Sequence, residues 1–267
     1  MLAGLAGVSQ ASLQLIPGDK PVCVFGDAPN SISVTFSNSG DHDFKAEIHT
    51  RIFQTSSATA VQVSEAPWKE LQVLPGQTIQ ESARLEFPAV KAETKFLTQW
   101  LENTNLIGTT EVWVYPTNLL AELKPLLDGE TLGVLDPDNE LKPLLKQNGV
   151  EFVDLGQQTT GDFSGRLAIL GPFKSQAQLP DEVTKGCKTM VKNGAAILWM
   201  LPPSGPRAPL QPSFYTVSLG TNAIVVAQAG LLPNLADNPQ SQLRLVRLCA
   251  LALNPKPDVL PEFNTQP

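Results

Sequence analysis

Residues 111–138 read EVWVYPTNLLAELKPLLDGETLGVLDPD, and the change of pattern along this stretch decides the fold. Before it, apolar and polar residues alternate at the period of a half-buried β-strand, whereas after it short apolar runs are separated by segments with helical signals. Strands that alternate with helices are typical of a parallel sheet with helical crossovers. The sequence therefore predicts a multidomain β plus α/β chain, with a β-sandwich over residues 11–116 and an α/β domain over residues 131–255.

The amino-terminal part consists of short alternating segments. Residues 31–37 place Ile32, Val34 and Phe36 on one face, and residues 44–53 alternate in the same way. Further candidate strands are residues 12–16, 61–63, 69–73, 78–87, 94–101 and 110–115. Roughly seven to nine short strands, about ten residues apart, predict an immunoglobulin-like sandwich.

The last of these strands is apolar on both faces. Val112 and Val114 point one way, and Trp113 and Tyr115 point the other. A leucine-rich connector follows at residues 117–130, which is too apolar for a free linker. We expect the connector to be a docked helix or extended segment, and we expect Trp113 or Tyr115 to pack between the domains.

The carboxyl-terminal part predicts a small three-layer α/β domain with a mainly parallel sheet, flavodoxin-like or class I amidotransferase-like. A first helix is predicted to open with Asp136 as N-cap and Pro137 as its first residue. The candidate strands are residues 131–135, 151–155, 166–170, 195–201 and 223–227, and two later helices are predicted at 180–193 and 239–253. Residues 256–267 form a tail.

Composition excludes some functions. The formal net charge is −7 and no three Lys or Arg residues are clustered, which argues against nucleic-acid binding. No apolar run is long enough for a membrane span. The apolar first residues lack a positively charged start and lead directly into a candidate strand, so we expect the chain to be a fragment of a longer protein.

Three stretches resemble known families. Residues 74–77 (LPGQ), 85–88 (LEFP) and 113–116 (WVYP) resemble immunoglobulin-like modules of bacterial glycoside hydrolase family 2. Residues 190–201 (MVKNGAAILWML) resemble a helix–strand unit of class I glutamine-amidotransferase-like domains, which also occur as non-catalytic parts of some bacterial glycosidases. The resemblance implies an accessory region of a carbohydrate-active protein, with secretion or a periplasmic location and a catalytic domain in the same or a neighbouring polypeptide.

Catalytic residues are not expected. Amidotransferases use a cysteine on a sharp strand-to-helix turn together with a histidine, but Cys187 falls inside a predicted helix, and both histidines, His42 and His49, lie in the sandwich without metal-ligand spacing. Ser204 lacks the glycine pattern of a nucleophile elbow. A glycosidase needs two opposed carboxyl groups, and nothing brings Glu102 and Glu111 together. We predict no metal and no cofactor.

Two candidate ligand sites remain, each with a structural alternative. Asp136 and Asp138 follow the first α/β strand, where such sheets bind ligands, and could hold Mg²⁺ or simply cap a helix. Trp68 and Trp100, with Trp113 and Tyr115, could stack against a sugar or fill a core. Cys187 and Cys249 could pair, although spacing gives no argument for it.

The sequence thus favours a non-catalytic accessory region of a larger glycoside hydrolase family 2-like protein, which positions or oligomerises a catalytic unit. One alternative is a stand-alone carbohydrate-binding or cell-surface interaction module. Another is a degenerate α/β enzyme with a ligand at the Asp136 loop. The sequence leaves the oligomeric state open.

Overall fold

The chain divides into two compact units, the first ending at Thr117 and the second beginning at Asn118. The computed structural model describes residues 13–157, 162–178, 181–202, 214–219 and 222–255. The first unit consists of strands and the second of alternating strands and helices, so the chain is a multidomain β plus α/β protein. Within the described part, no helix is long and apolar enough to cross a membrane.

The first unit is built from two sheets. Its strands are β1 (Leu13–Ile16), β2 (Val22–Phe25), β3 (Pro29–Asn38), β4 (Phe44–Thr55), β5 (Ala60–Val73), β6 (Thr78–Glu86), β7 (Thr94–Glu102) and β8 (Asn105–Tyr115). One sheet has the order β1-β3-β6 and the other β2-β8-β7-β4-β5. Neighbouring strands are antiparallel except for β2 and β8, which are parallel.

Both sheets contribute to one hydrophobic core. Alternate residues of β3, such as Val34 and Phe36, meet alternate residues of β7 and β8, such as Phe96 and Val112. Val112 and Val114 are completely buried, as the alternation of their strand predicts. Gly108 permits a close approach at this level, because a Cβ there would lie 2.5 Å from the Cβ of Leu15.

The long strand β5 replaces two predicted strands, at residues 61–63 and 69–73. It pairs with β4 over its whole length, with register irregularities opposite Ile48/His49 and Ile52/Phe53. A bulge adds a residue to one strand without ending the pairing, so the interrupted alternation of residues 64–68 does not mark a break between strands. Strand β2 was not predicted at all.

The second unit contains a mixed six-stranded sheet. Its strands are β9 (Leu132–Leu135), β10 (Val153–Asp154), β11 (Leu167–Leu170), β12 (Ala196–Leu201), β13 (Phe214–Leu219) and β14 (Asn222–Gln228). They lie in the order β10-β9-β11-β12-β14-β13, with every pair parallel except β13 and β14. Strand β13, at the sheet edge, was not predicted.

Helices cover this sheet on two faces. They are α1 (Leu123–Leu127), α2 (Leu141–Gln147), α3 (Asp181–Lys192) and α4 (Pro239–Leu253), with a 3-10 helix at Leu119–Glu122. The 3-10 helix, α1, α2 and α4 share one core cluster with one face of the sheet. Helix α3 shares a separate cluster with the other face, through Cys187 and Met190. The leucine-rich connector therefore packs into the core of the second unit.

The start of α2 differs from the prediction. The helix begins at Leu141, five residues after Asp136, so Asp136 is not its N-cap residue and Pro137 is not its first residue. The predicted end of this helix agrees with the structure. Helix α2 ends at Gln147, and Gly149 follows with a φ of 64°, a conformation that favours glycine. Helix α4 has its predicted bounds, and Asn238 caps it through bonds from the amides of Gln240 and Ser241.

Candidate functional site

The carboxyl edge of the parallel sheet is the candidate site, because sheets of this kind bind ligands there. Strand β9 ends at Leu135 and is followed by Asp136, and the neighbouring strand β11 ends at Leu170 and is followed by Gly171. The Gly171 amide donates to the Leu135 carbonyl at 2.7 Å, which holds the two loops together directly beyond the strands.

Asp136 caps α2 from a distance along the chain. Its Oδ2 accepts hydrogen bonds from the backbone amides of Leu141 at 2.7 Å and Lys142 at 3.0 Å. The first amides of a helix have no partner within the helix, so this carboxylate satisfies two of them and offsets the positive end of the helix dipole. The residue is only 3% exposed, and Oδ1 has no hydrogen-bond partner within the described residues.

Asp138 and Glu140 form ion pairs with one lysine. The Lys174 Nζ lies 2.5 Å from Glu140 Oε1 and 3.3 Å from Asp138 Oδ2. The hydrogen bond to Glu140, and secondarily the contact with Asp138, raises the pKa of Lys174 above its usual value. Asp138 Oδ1 also accepts a hydrogen bond from Gln178 Nε2 at 2.9 Å. These contacts tie the loop after β9 to the segment after β11.

A second ion pair lies at the end of the neighbouring strand, β10. Lys142 Nζ lies 2.8 Å from Asp154 Oδ2, and Asp154 Oδ1 accepts from the Gly156 amide at 2.9 Å. The hydrogen bond from Lys142 is the largest cause that lowers the pKa of Asp154, opposed by burial and aided by the Gly156 amide. The loop after β10 is thereby tied to the first turn of α2.

The side chains at this edge form hydrogen bonds and ion pairs between loops and do not leave an open metal-coordination site. Oδ2 of Asp136 accepts from two amides of α2, and Lys174 supplies the positive charge next to Asp138. Within the described ranges, no three His, Cys, Asp or Glu residues are grouped so that they could hold a metal ion. The site's geometry corresponds to the helix-capping alternative, in which the carboxylates are structural.

The tryptophans proposed as a sugar platform lie in the sandwich core. Trp100 is completely buried, and its Nε1 donates to Thr110 Oγ1 at 2.9 Å. Its ring is 5.0 Å from that of Trp68 and 5.8 Å from that of Phe36, both at steep angles. The half-buried Trp68 stands at the bulge of β5, which turns its ring inward. Trp100 therefore fills the core, the structural alternative to a sugar platform, and Trp68 packs against the same core.

Trp113 and Tyr115 lie on the opposite face of the same sheet. The Trp113 ring is half-buried, with its Nε1 donating to Glu111 Oε1 at 3.1 Å and Lys95 Nζ 5.8 Å from the ring centroid. Tyr115 is 4% exposed. Their packing between the domains stays a prediction.

The remaining candidate nucleophiles are unsuited to catalysis where the structure describes them. Cys187 and Cys249 are free, buried thiols that belong to the clusters on opposite faces of the sheet, so they are not paired. Burial raises the pKa of Cys187 to about 11 and also raises that of Cys249, which disfavours the reactive thiolate. Ser204 lies outside the described residues.

The histidines and the pair of glutamates are dispersed on the sandwich. His42 contacts the neighbouring Asp41, and His49 lies 3.5 Å from Glu47. In the β7–β8 ladder, Glu102 stands opposite Asn105 while Glu111 stands opposite Leu97, and Glu111 forms an ion pair with Lys95. The structure does not bring these groups into one site.

Sequence reasoning missed Lys174 and Gln178. Both belong to the segment that follows β11, so the rule that carboxyl ends of adjacent parallel strands meet at one edge could have placed them near Asp138. The order of strands was needed first, because only adjacency of β9 and β11 brings the two segments together.

Comparison with known proteins defines no family for this chain. No family model and no curated protein matches it. Among solved structures, a Pseudomonas fluorescens alkylpurine DNA glycosylase bound to DNA is 12% identical, with a TM-score of 0.32 over 39% of this chain and 31% of that chain. A Listeria innocua β-glucosidase is 13% identical, with a TM-score of 0.30 over 39% and 16% of the two chains. The Bacillus subtilis sporulation control protein Spo0M is 11% identical, with a TM-score of 0.27 over 44% and 56%. In each case the match spans less than two thirds of the known structure's length.

Proposed function

We propose that this chain is a non-catalytic accessory region of a larger carbohydrate-active protein, in which it positions or oligomerises a catalytic unit. The connection with carbohydrate rests on the resemblance of residues 74–77, 85–88 and 113–116 to immunoglobulin-like modules of glycoside hydrolase family 2. The accessory role is supported by the contacts at the carboxyl edge of the α/β sheet.

The observation that carries the accessory role is the engagement of Lys174 with both Asp138 and Glu140. A ligand entering between the loops after β9 and β11 would have to separate these ion pairs and the Gln178 bond. Because Lys174, Asp138 and Glu140 are already engaged with one another, the edge serves to hold these loops together rather than to act on a substrate.

The order of the strands supports a finer fold assignment for each unit. Without the antiparallel edge strand β13, the strands of the second unit, numbered as they occur, lie in the order 2-1-3-4-5. That order is the flavodoxin-like one. For the first unit, two sheets around one core, with the first two strands on different sheets, favour an immunoglobulin-like arrangement.

The test is the gene that encodes this chain, together with its neighbours. We expect a catalytic glycosidase domain in the same or an adjacent reading frame. We also expect removal of residues 13–255 from that protein to change its assembly state or its stability more than the chemistry of its active site. A gene that encodes this chain alone, together with saturable heat release on titration with oligosaccharides, would contradict the proposal and favour a carbohydrate-binding module.

A further inference from the structure

The six-stranded sheet of the second unit ends in an uncharged edge strand. Strand β13 pairs with β14 on one side, and among the described residues no strand pairs with its other side. Its six residues, Phe214–Leu219, include no charged residue and no proline. Because successive residues of an antiparallel strand direct their backbone amides and carbonyls to alternate edges, every second residue of β13 directs them to the outer side. Such an edge is a template on which a further strand can pair.

The other edge strands of the described sheets carry features that hinder pairing with a further strand. Strands β1, β2 and β10 have four residues or fewer. Strand β6 contains charged residues such as Glu81 and Arg84. Strand β5 contains Pro67 and several charged residues, and two irregularities interrupt its register with β4. Strand β13 pairs with β14 in continuous register, so within the described ranges it is the one edge strand that lacks all of these features.

Two rows of apolar side chains cross the sheet and end at β13. The members of each row are register partners on β12, β14 and β13, and they are Trp199, Val226 and Tyr215 in one row and Ile197, Ile224 and Val217 in the other. Ile197 is completely buried, whereas Tyr215 and Val217 are 59% and 41% exposed. Because apolar surface in water is unfavourable, both rows would gain stability from a further strand next to β13.

The sequence of β13 is complementary to itself. If two copies pair antiparallel about a twofold axis at Thr216, this residue stands opposite its own copy, and Tyr215 of each copy stands opposite Val217 of the other. Pairs of threonines, and pairs of an aromatic with a β-branched side chain, stabilise antiparallel strands. A twofold axis also brings like charges together, and β13 has none. In this register, the apolar row that ends at Tyr215 continues into the row that ends at Val217 of the second copy.

We propose that β13 is a dimerisation edge, at which a second copy of this chain pairs antiparallel about Thr216 and joins the two sheets into one. The continuity of the apolar rows and the self-complementary sequence both specify a second copy as the partner. A six-residue edge is smaller than a standard protein interface, so the dimer is weak and reversible. The inference deepens the oligomerising part of the proposed function and rests on that part alone, because the connection with carbohydrate does not enter it.

The test is analytical ultracentrifugation of the whole chain over a concentration range of about 1 to 500 µM. We expect a monomer–dimer equilibrium with a Kd of roughly 10–100 µM. Thr216→Lys places two like charges opposite each other and should weaken dimerisation about tenfold or more. Val61→Lys, on the edge strand β5 of the first unit and 61% exposed, is the matched control and should leave the Kd unchanged. In the wild type, hydrogen exchange of the β13 amides should slow as the concentration rises.

A charge exchange tests the register and the identity of the partner. Val217→Glu alone should weaken the dimer, whereas the double variant Tyr215→Lys with Val217→Glu should recover most of the lost affinity, because each lysine then faces a glutamate of the second copy. The proposal is overturned by a chain that stays monomeric over the whole range, by β13 exchange that does not depend on concentration, by a dimer that Thr216→Lys leaves intact, or by a double variant no tighter than Val217→Glu. A monomeric chain would leave the accessory role to its own test on the neighbouring genes.

Discussion

Asp136 shows how one buried carboxylate can start a helix that lies five residues further along the chain. Its Oδ2 accepts hydrogen bonds from the first two amides of α2, and the N-cap residue Glu140 makes no side-chain bond to that end. We expect Asp136→Ala to lower the free energy of unfolding by about 0.5–2 kcal/mol, the usual cost of a lost cap. Urea denaturation followed by far-UV circular dichroism measures this loss, and Asp138→Ala is the matched control with a smaller effect.

The same residue distinguishes a structural carboxylate from a metal ligand. If Asp136 only caps α2, adding Mg²⁺ or Ca²⁺ leaves the Tm of the wild type and of Asp136→Ala unchanged. A rise in Tm with either ion that the variant lacks would show preferential binding of the cation to the folded state and would contradict the capping role.

Trp100 is a second case in which one residue matters, because its ring anchors the sandwich core. It is completely buried among Phe36 and Trp68, and its indole nitrogen is satisfied by Thr110. We expect Trp100→Ala to lower the free energy of unfolding by about 3–5 kcal/mol. Trp113→Ala, at a half-buried ring on the other face of the sheet, should cost less. Thermal denaturation of the two variants makes the comparison, and a loss for Trp100→Ala that is well below this range and no larger than that for Trp113→Ala would contradict the role of Trp100 as a core anchor.

At the scale of elements, sequence pattern located most strands and the later helices. Helix α4 could be predicted to the residue, because Asn238 and Pro239 give a start signal that its amphipathic pattern follows. Helix α2 began later than predicted, since the sequence Asp136-Pro-Asp resembles an N-cap but the carboxylate acts across a turn. The sequence alone cannot distinguish an aspartate at the N-cap position from one that caps the helix from five residues before its start.

Elements that pair with residues distant in sequence could not be predicted. Strand β2 has four residues and acquires its conformation by pairing with β8, about ninety residues later, so its own sequence carries little signal. The bulges in β5 interrupt the alternation that local reasoning depends on. The ion pair between Lys174 and Asp138 could not be predicted either, because it depends on which strands are neighbours in the sheet.

The ion pair between α2 and the end of β10 predicts a pH dependence. Because the pKa of Asp154 is lowered in the folded state, its contribution to stability is present above the unfolded pKa of about 4 and is lost as pH falls through the folded value. We expect Asp154→Asn to remove part of the acid destabilisation of the wild type, by at most about 1 kcal/mol, since the pair is near the surface. Denaturation midpoints measured across this pH window provide the test, and identical profiles for Asp154→Asn and wild type would contradict it.

The leucine-rich connector behaves as an element of the second unit. Leu123 of α1 is completely buried in the cluster that also contains residues of α2 and α4, whereas Leu126 is only partly buried. We expect Leu123→Ala to lower the free energy of unfolding by about 2–5 kcal/mol and Leu126→Ala to lower it less. Chemical denaturation followed by far-UV circular dichroism reports this. A free linker would show no loss for either substitution.

At the scale of the whole molecule, two units with separate cores are joined in one chain. In each unit, the aromatic or acidic residues that could have formed a site are largely used in packing, capping and ion pairs. This use of the side chains is compatible with the proposed accessory role, since a region that orients a catalytic unit needs stable units more than reactive groups.

The most direct test of this account is an assay of the purified chain with aryl glycosides, glutamine and simple esters. The account predicts no turnover above the rate without protein, because the acid–base and nucleophilic groups in the described part are engaged or dispersed. Turnover that Cys187→Ala, Ser204→Ala or Asp136→Asn abolishes, while Asp138→Ala leaves it unchanged, would contradict the central claim and show that the chain carries a catalytic site of its own.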